Sequence, residues 1–237
     1  MAPFPEGPAP APPTEARCAT YGQGTPLRVR VVTATEVARG MAPEPSGSED
    51  ARIFGKVFEE EYSLETHLQR DERGQGKASL ERFEKSFSAR LREEGIFSSE
   101  RVREGVGLYQ CLLRAGVRGK KPRTRFRKLR EGVYLAAQPD IESPTRDPRF
   151  VEFKTYSLTP FARAQTRVFA WVLQETVRLV GVRKEGDRYV PEAEKIGPEE
   201  LGSVDIPEGV GTPQEFCPKH EVPVGRCFPR SQGKTWR

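Results

Sequence analysis

Apolar residues recur every three or four positions in three long segments of the N-terminal half. These segments are 51–69, 78–94 and 99–115, and Gly95 and Gly116 follow the second and third of them. Such spacing places the apolar side chains on one side of a helix. We therefore predict three amphipathic helices, each with one face directed into a core.

The pattern changes from helical spacing to alternation near residue 123. The stretch 123–129 alternates, residues 130–132 have turn character, and 133–138 is a mostly apolar run. This combination predicts a β-hairpin. After a loop with three prolines, the stretch 149–155 is predicted to be another strand.

A further helix and more strands are predicted on both sides of this region. The segment 160–175 begins with proline, which suits a first helical turn, and its apolar residues define one face. Strands are predicted at 176–183 and 187–191, and near the N-terminus 27–38 is predicted to be a strand leading into a short helix. The order helix, strand, strand, strand, helix, strand predicts an α/β fold with a central mixed sheet flanked by helices.

Composition divides the chain into four consecutive parts. Residues 1–26 form a Pro-rich arm, with six prolines among the first thirteen residues, and 27–117 is mainly helical. The predicted core sheet and its helix occupy 118–191. Residues 192–237 are rich in Pro, Gly and acids and are predicted to form a loop-rich lobe.

Charge and hydropathy narrow the class of protein. Charged residues make up 31% of the chain, and 39 basic against 34 acidic residues give a net charge of +5, which favours an anionic partner. No window approaches the roughly 18–20 apolar residues of a membrane span, so we expect a cytoplasmic protein without a membrane partner. The absence of Asn is typical of thermophilic proteins, although GC-rich codon usage would produce the same bias.

Three residues near the predicted hairpin have the chemistry of a metal-dependent hydrolase. Asp140 follows an apolar strand, and Glu152 and Lys154 lie on the next strand. Alternation puts Glu152 and Lys154 on one face, which we expect to line a solvated cleft, while Val151 and Phe153 point into the core. Two carboxylates suit Mg²⁺ or Mn²⁺, and a lysine can orient water and offset charge on a phosphoryl group. The alternative is an ordinary charge pair on an exposed strand.

The order of these residues resembles the signature of the PD-(D/E)xK nuclease superfamily. Pro139-Asp140 is followed by eleven residues and then Glu152-x-Lys154. The next predicted helix contains Gln165 and, four residues later, Phe169, which is similar to the Q-x-x-x-Y motif of the RecB-like branch. The resemblance implies a restriction-endonuclease-like core.

The same resemblance assigns roles to individual residues. It implies that Asp140 and Glu152 bind the metal, that Lys154 is the catalytic lysine and that Gln165 steadies the substrate or the metal-bound water. RecB-like nucleases also carry a histidine followed by an acid on the preceding helix. Here Phe58 stands in the place of the histidine, and only the acid, Glu59, matches as a third metal ligand. His67 is too far along that helix and is expected at the surface.

A strongly basic segment precedes the candidate site. Eight of the thirteen residues from Arg118 to Arg130 are Lys or Arg. On a strand, alternate arginines share one face and can contact successive phosphates, although basic edge strands also serve to prevent aggregation. The predicted nucleic-acid contacts are Lys120, Lys121, Arg123, Arg125, Arg127 and Lys128.

Four residues of the two chain ends have the spacing of a metal site. Cys217, His220 and Cys227 lie close together, and Cys18 precedes the first predicted strand. This set would bind Zn²⁺ with four ligands. CRISPR-associated RecB-like exonucleases and the AddB nuclease domain are similar here, and that resemblance implies a [4Fe-4S] cluster, from whose all-cysteine pattern His220 departs.

Other states of the cysteines remain open. Cys217 and Cys227 could instead form a disulfide, or the thiols could be reduced and unligated. Cys111 lies in an apolar helix stripe and is predicted to be a buried small hydrophobe.

Taken together, these features predict a divalent-metal-dependent nuclease that hydrolyses DNA, as an exonuclease or on single strands. One alternative is a non-catalytic DNA-binding or scaffold subunit of a larger DNA-processing complex. Another is a site-specific endonuclease or junction resolvase.

Overall fold

The computed structural model describes residues 26–68, 76–199, 201, 206–207, 209–217 and 222–223. Within these residues the fold is mixed α/β. The helices are α1 (Ala34–Met41), α2 (Glu49–Leu68), α3 (Gly76–Glu93), α4 (Ser99–Arg114) and α5 (Pro160–Leu173). The strands are β1 (Leu27–Thr33), β2 (Arg125–Arg130), β3 (Val133–Ala137), β4 (Ile141–Glu142), β5 (Phe150–Phe153), β6 (Val177–Glu185), β7 (Arg188–Ile196), β8 (Thr212–Cys217) and β9 (Val222–Pro223).

The larger of two compact units consists of Thr33–Arg127 and Leu135–Val210. Its four-stranded sheet has the order β4-β5-β6-β7. β5 and β6 are parallel, whereas β4 pairs with β5 and β7 pairs with β6 in antiparallel fashion. A parallel pair needs a crossover connection, and α5 provides it.

The smaller unit consists of Met1–Val32, Lys128–Tyr134 and Gly211–Arg237, of which only part is described. The five-stranded sheet has the order β2-β3-β1-β8-β9. β1 and β8 are antiparallel and begin with the pair Leu27 and Phe216. The rings of Tyr134 and Phe216 lie with their centroids 4.7 Å apart, so side chains of β3 and β8 contact each other.

The core of the larger unit is an aromatic cluster between α2, α3 and α4. Phe83 stacks on Tyr109 with a centroid distance of 4.3 Å. Gly105 allows α4 to approach α3, because a Cβ atom there would overlap the ring of Phe87. Val151 and Phe153 of β5 belong to the same core, which confirms that these two side chains point inward.

Capping residues in the sequence mark where several of the helices begin. Thr33 and Glu36 form a capping box at the start of α1, and the Ser98 hydroxyl caps α4. Thr159 caps α5, in which Pro160 occupies the first turn. The predicted helices 51–69, 78–94, 99–115 and 160–175 are therefore confirmed to within a few residues.

The structure also corrects the predicted order of strands. The hairpin of β2 and β3 is present but lies in a different sheet from β5, so the expectation of one central sheet is wrong. The two-residue strand β4 was not predicted. Its length is below that at which an alternating pattern can be recognised.

The predicted loop-rich C-terminal lobe, 192–237, contains regular structure. Its proposed beginning falls inside β7, and Thr212–Cys217 forms β8. β8 pairs with β1 from the other end of the chain, and a pairing over that sequence separation has no local signature.

Candidate active site

Two adjacent strands bring Asp140 and Glu152 together. Asp140 immediately precedes β4, Glu152 lies on β5, and the antiparallel register pairs Ile141 with Val151. The Asp140 amide donates to Glu152 Oε2 at 3.3 Å, and the Phe153 amide donates to Asp140 Oδ2 at 2.9 Å. The structure therefore joins the two predicted carboxylates through hydrogen bonds to the backbone.

Lys154 completes this group from the end of β5. Its Nζ lies 2.6 Å from Glu152 Oε1, so the two side chains share one side of the strand as predicted. The Lys154 amide donates to the Val180 carbonyl on β6 at 2.8 Å. The backbone of the lysine is thus anchored to the neighbouring strand.

The three groups are largely removed from solvent. Asp140 is 8% exposed and Glu152 is 2% exposed. This burial excludes the interpretation of Glu152 and Lys154 as an ordinary surface pair, and it also corrects the expectation that they line a solvated cleft. β5 lies between β4 and β6, so neighbouring strands cover both of its edges.

Burial and charge change the acid–base properties of the group. Burial raises the pKa of Asp140 well above its ordinary value, and the carboxylates of Glu152 and Glu59 raise it further. Burial alone would lower the pKa of Lys154, but Glu152 and Asp140 outweigh it and the pKa is raised. Carboxylates outnumber ammonium groups, so the site favours an added cation.

Glu59 approaches this group from α2. It is half-buried, its charge acts on Asp140, and its Oε1 lies 3.4 Å from Lys121 Nζ. Within the described ranges, no group of three or more His, Cys, Asp or Glu side chains is arranged to hold a metal ion. The residues brought into direct contact are Asp140 and Glu152, and Glu59 as a third ligand stays a prediction.

Gln165 is directed toward α1. Its Nε2 donates to Thr35 Oγ1 at 2.9 Å, while its buried Oε1 has no hydrogen-bond partner among the described residues. Of the four residues predicted to be catalytic, Gln165 is the one for which no contact with the others is found in the described part of the chain.

Tyr156 lies near the site, and the sequence analysis did not identify it. Burial raises the pKa of its phenol, and the charges of Lys154, Glu152 and Asp140 also act on it. Its side chain is still 40% exposed. Tyr156 follows Lys154 by two residues, so continued alternation beyond the strand was the available signal.

The basic segment is partly used in contacts within the protein. Lys120 pairs with Glu142 at 3.5 Å, and Lys121 pairs with Glu59. The Arg127 guanidinium lies 3.9 Å from the centre of a Trp171 ring and donates to the Trp171 carbonyl. Lys128 also has a carboxylate partner, Glu131, at 2.6 Å.

Arg123 and Arg125 are different, because both are exposed and neither is in an ion pair with any carboxylate of the described ranges. These two arginines remain available for contacts with phosphates.

The cysteines are described only in part. Cys111 is fully buried in α4, as predicted, and Cys217 is buried at the end of β8. Cys18, His220 and Cys227 lie outside the described residues, as does the side chain of His67. The metal or cluster site at the chain ends therefore stays a prediction.

Comparisons with protein-family models, with curated proteins and with solved structures found no match to this chain. None of the helices in the described residues is both long and apolar enough to cross a membrane.

Proposed function

We propose that this protein is a divalent-metal-dependent nuclease that hydrolyses DNA phosphodiester bonds. The observation that carries the proposal is that Asp140 and Glu152 are buried beside Lys154, so that two carboxylates are held together despite their mutual repulsion. Perturbed ionisable groups of this kind concentrate at functional sites. The preference for strand ends or single strands rests on the RecB-like resemblance of the sequence.

The donor set fits Mg²⁺ or Mn²⁺. Asp140 and Glu152 offer carboxylate oxygens, the ligands that Mg²⁺ takes in small number while it keeps several waters. When bound, the metal would activate a water and neutralise charge on the phosphoryl group. Lys154, held in place by Glu152, would place its ammonium against the same developing charge.

The arrangement of elements supports a restriction-endonuclease-like core. β4 and β5 are antiparallel, α5 follows, and β6 returns parallel to β5. This order agrees with the helix-strand-strand-helix-strand part of the expected topology. The candidate residues lie on the inner strand β5 and beside its neighbour β4.

Cleavage assays test the proposal directly. End-labelled linear DNA and closed circular DNA are incubated with and without Mg²⁺ or Mn²⁺. We expect Asp140→Ala, Glu152→Ala and Lys154→Ala each to lower cleavage by about a hundred-fold or more, with double variants little worse, since the three groups act as one unit. Products from linear DNA alone would favour an exonuclease.

Glu142→Gln is the matched control, because Glu142 is a buried carboxylate on β4 that Arg149 and Lys120 already neutralise. We expect it to retain cleavage. Near-normal Mg²⁺-dependent cleavage by Glu152→Ala would exclude this site.

Metal binding can be measured independently of cleavage. Mg²⁺ should raise the Tm of the wild-type protein, because a ligand at 100 times its Kd stabilises by about 2.7 kcal/mol. Glu152→Gln should lose this effect and Glu142→Gln should keep it. Metal-dependent stabilisation without any cleavage would favour the alternative of a non-catalytic DNA-binding subunit.

A further inference from the structure

A small cavity of about 260 Å³ lies at the end of β4 opposite Asp140. Two arginines and three residues with hydroxyl groups line it, and no acidic residue does. The arginines are Arg118 and Arg146, and the hydroxyl residues are Ser143, Thr145 and Thr66, of which Thr66 already donates its hydroxyl hydrogen to the Tyr62 carbonyl. This composition suits an anion with several acceptor oxygens.

The segments that carry these groups are held close together. Lys120 and Glu142 exchange two backbone hydrogen bonds of 3.0 and 2.7 Å. A Cβ atom at Gly119 would overlap the Glu142 carbonyl oxygen, so glycine permits this approach. The turn that follows is closed by a hydrogen bond from the Arg146 amide to the Ser143 carbonyl.

The two arginines differ from their basic neighbours in lacking a counter-ion. Lys120, Lys121 and Arg149 all have carboxylate partners. Neither Arg118 nor Arg146 forms an ion pair with a carboxylate of the described chain. Arg146 instead donates to the Gly116 carbonyl, which fixes its guanidinium at the edge of the cavity.

Two further observations support convergence on one ligand. The charges of Arg118 and Arg146 both act on the buried phenol of Tyr62, so the two guanidiniums approach the same region. Ser143 is only 6% exposed, and its hydroxyl makes no hydrogen bond to another described residue. A hydroxyl so placed has an unused hydrogen for an acceptor oxygen.

We propose that this cavity binds a phosphodiester group of a nucleic-acid strand. The identity of the ligand as nucleic acid rests on the proposed nuclease function. β4 separates Asp140 from Ser143 by three residue steps of about 3.3 Å, or about 10 Å. Alternate residues of a strand lie about 6.6–6.8 Å apart and match successive phosphates, so a cavity about 10 Å away would hold a phosphate one or two positions from the cleaved bond.

Binding of a fluorescent single-stranded oligonucleotide tests this proposal. Anisotropy is measured in EDTA, so that no cleavage occurs, over a series of salt concentrations. For Arg118→Ala/Arg146→Ala we expect at least about a ten-fold loss of affinity, because hydrogen bonds between charged groups are removed. The slope of log K against log[salt] should become shallower by about 0.7 if one phosphate is no longer neutralised.

Two comparison variants separate specific recognition from net charge. Arg52→Ala/Arg103→Ala removes the same charge from exposed positions outside the cavity and should leave affinity and slope nearly unchanged. Arg118→Lys/Arg146→Lys should retain the slope but lose part of the affinity, because lysine cannot bind a phosphate in bidentate fashion. An equal loss from the Arg52/Arg103 pair would overturn the proposal.

Thermal unfolding checks that the variants fold, and Arg118→Ala alone provides the test if the loss of Arg146 proves destabilising. Unchanged oligonucleotide binding by a folded Arg118→Ala would overturn the proposal. The proposal would also be overturned if the arginine variants bound inorganic phosphate more weakly but bound the oligonucleotide as the wild-type protein does. The binding assay contains no metal and does not depend on cleavage. If the wild-type protein fails to cleave DNA in the separate assays with Mg²⁺ or Mn²⁺, the nuclease function is refuted, but the oligonucleotide binding measured here is unaffected.

Discussion

At the scale of single residues, the raised pKa of Asp140 makes stability depend on pH. The folded protein binds this proton more tightly than the unfolded chain, whose carboxyl titrates near 3.8. The contribution of Asp140 to stability is therefore fully present below that value, and it is lost as the pH rises through the pKa of Asp140 in the folded protein. We expect Asp140→Asn to raise the Tm at neutral pH, by about 2–4 °C for each kcal/mol, and to flatten the pH dependence.

The pKa of Glu142 is shifted in the opposite direction, so Glu142 should change the pH dependence of stability with the opposite sign. Burial alone would raise the pKa of Glu142, but Arg149 and Lys120 outweigh it and lower the pKa. Glu142→Gln should thus lower stability at neutral pH, with a smaller effect as pH falls below the folded pKa of the carboxyl. Urea unfolding of both variants at several pH values measures the difference, and identical pH profiles would contradict this account of Asp140.

Loss of Lys154, whose side chain is 16% exposed, should destabilise the fold. Lys154→Met leaves the Glu152 carboxylate without its cation, and breaking a buried pair costs about 3–5 kcal/mol. The double variant Glu152→Gln/Lys154→Met should recover much of that loss. Lys120→Met is the control, because Glu142 still has Arg149 and the cost should be small. Urea unfolding of all three variants provides the measurement.

At the scale of elements, the basic segment should divide into two kinds of residue. Arg123→Ala/Arg125→Ala should weaken DNA binding for all sequences and reduce the salt slope by about 0.7–0.9 for each phosphate that the protein no longer neutralises. Arg127→Ala should instead lower stability, because its guanidinium packs on Trp171. A salt titration of binding and an unfolding curve distinguish the two effects, and an unchanged slope for the first variant would assign the segment to solubility.

The helices were predictable because each buries one continuous face. The apolar residues of α2, α3 and α4 repeat within a single segment, so the periodicity is visible without knowledge of the partner. β4 and β8 lack that property. β4 consists of only two residues, which are too few to show a pattern. β8 is a strand because it pairs with β1, which lies nearly two hundred residues earlier in the chain.

At the scale of the whole molecule, the sequence predicts one metal or cluster that joins the chain ends through Cys18, Cys217, His220 and Cys227. A structural Zn²⁺ contributes about 10–16 kcal/mol that is coupled to folding, so removal of the metal should sharply lower the Tm. Brown anaerobic protein would indicate an iron–sulfur cluster, and colourless protein with one zinc would indicate a Cys₃His site. Elemental analysis that finds neither metal would leave a disulfide or reduced thiols.

The sequence by itself determined the positions of the helices, the hairpin and the spacing of Asp140, Glu152 and Lys154. These features depend on neighbours a few residues apart, whose periodicity and order are visible along the chain. Only the tertiary structure decided that Asp140 and Glu152 are buried, that Gln165 faces Thr35 and that Arg118 and Arg146 line one cavity. Burial and counter-ion pairing depend on segments that meet from distant parts of the chain, so the same residue types can form a surface pair or a charged site.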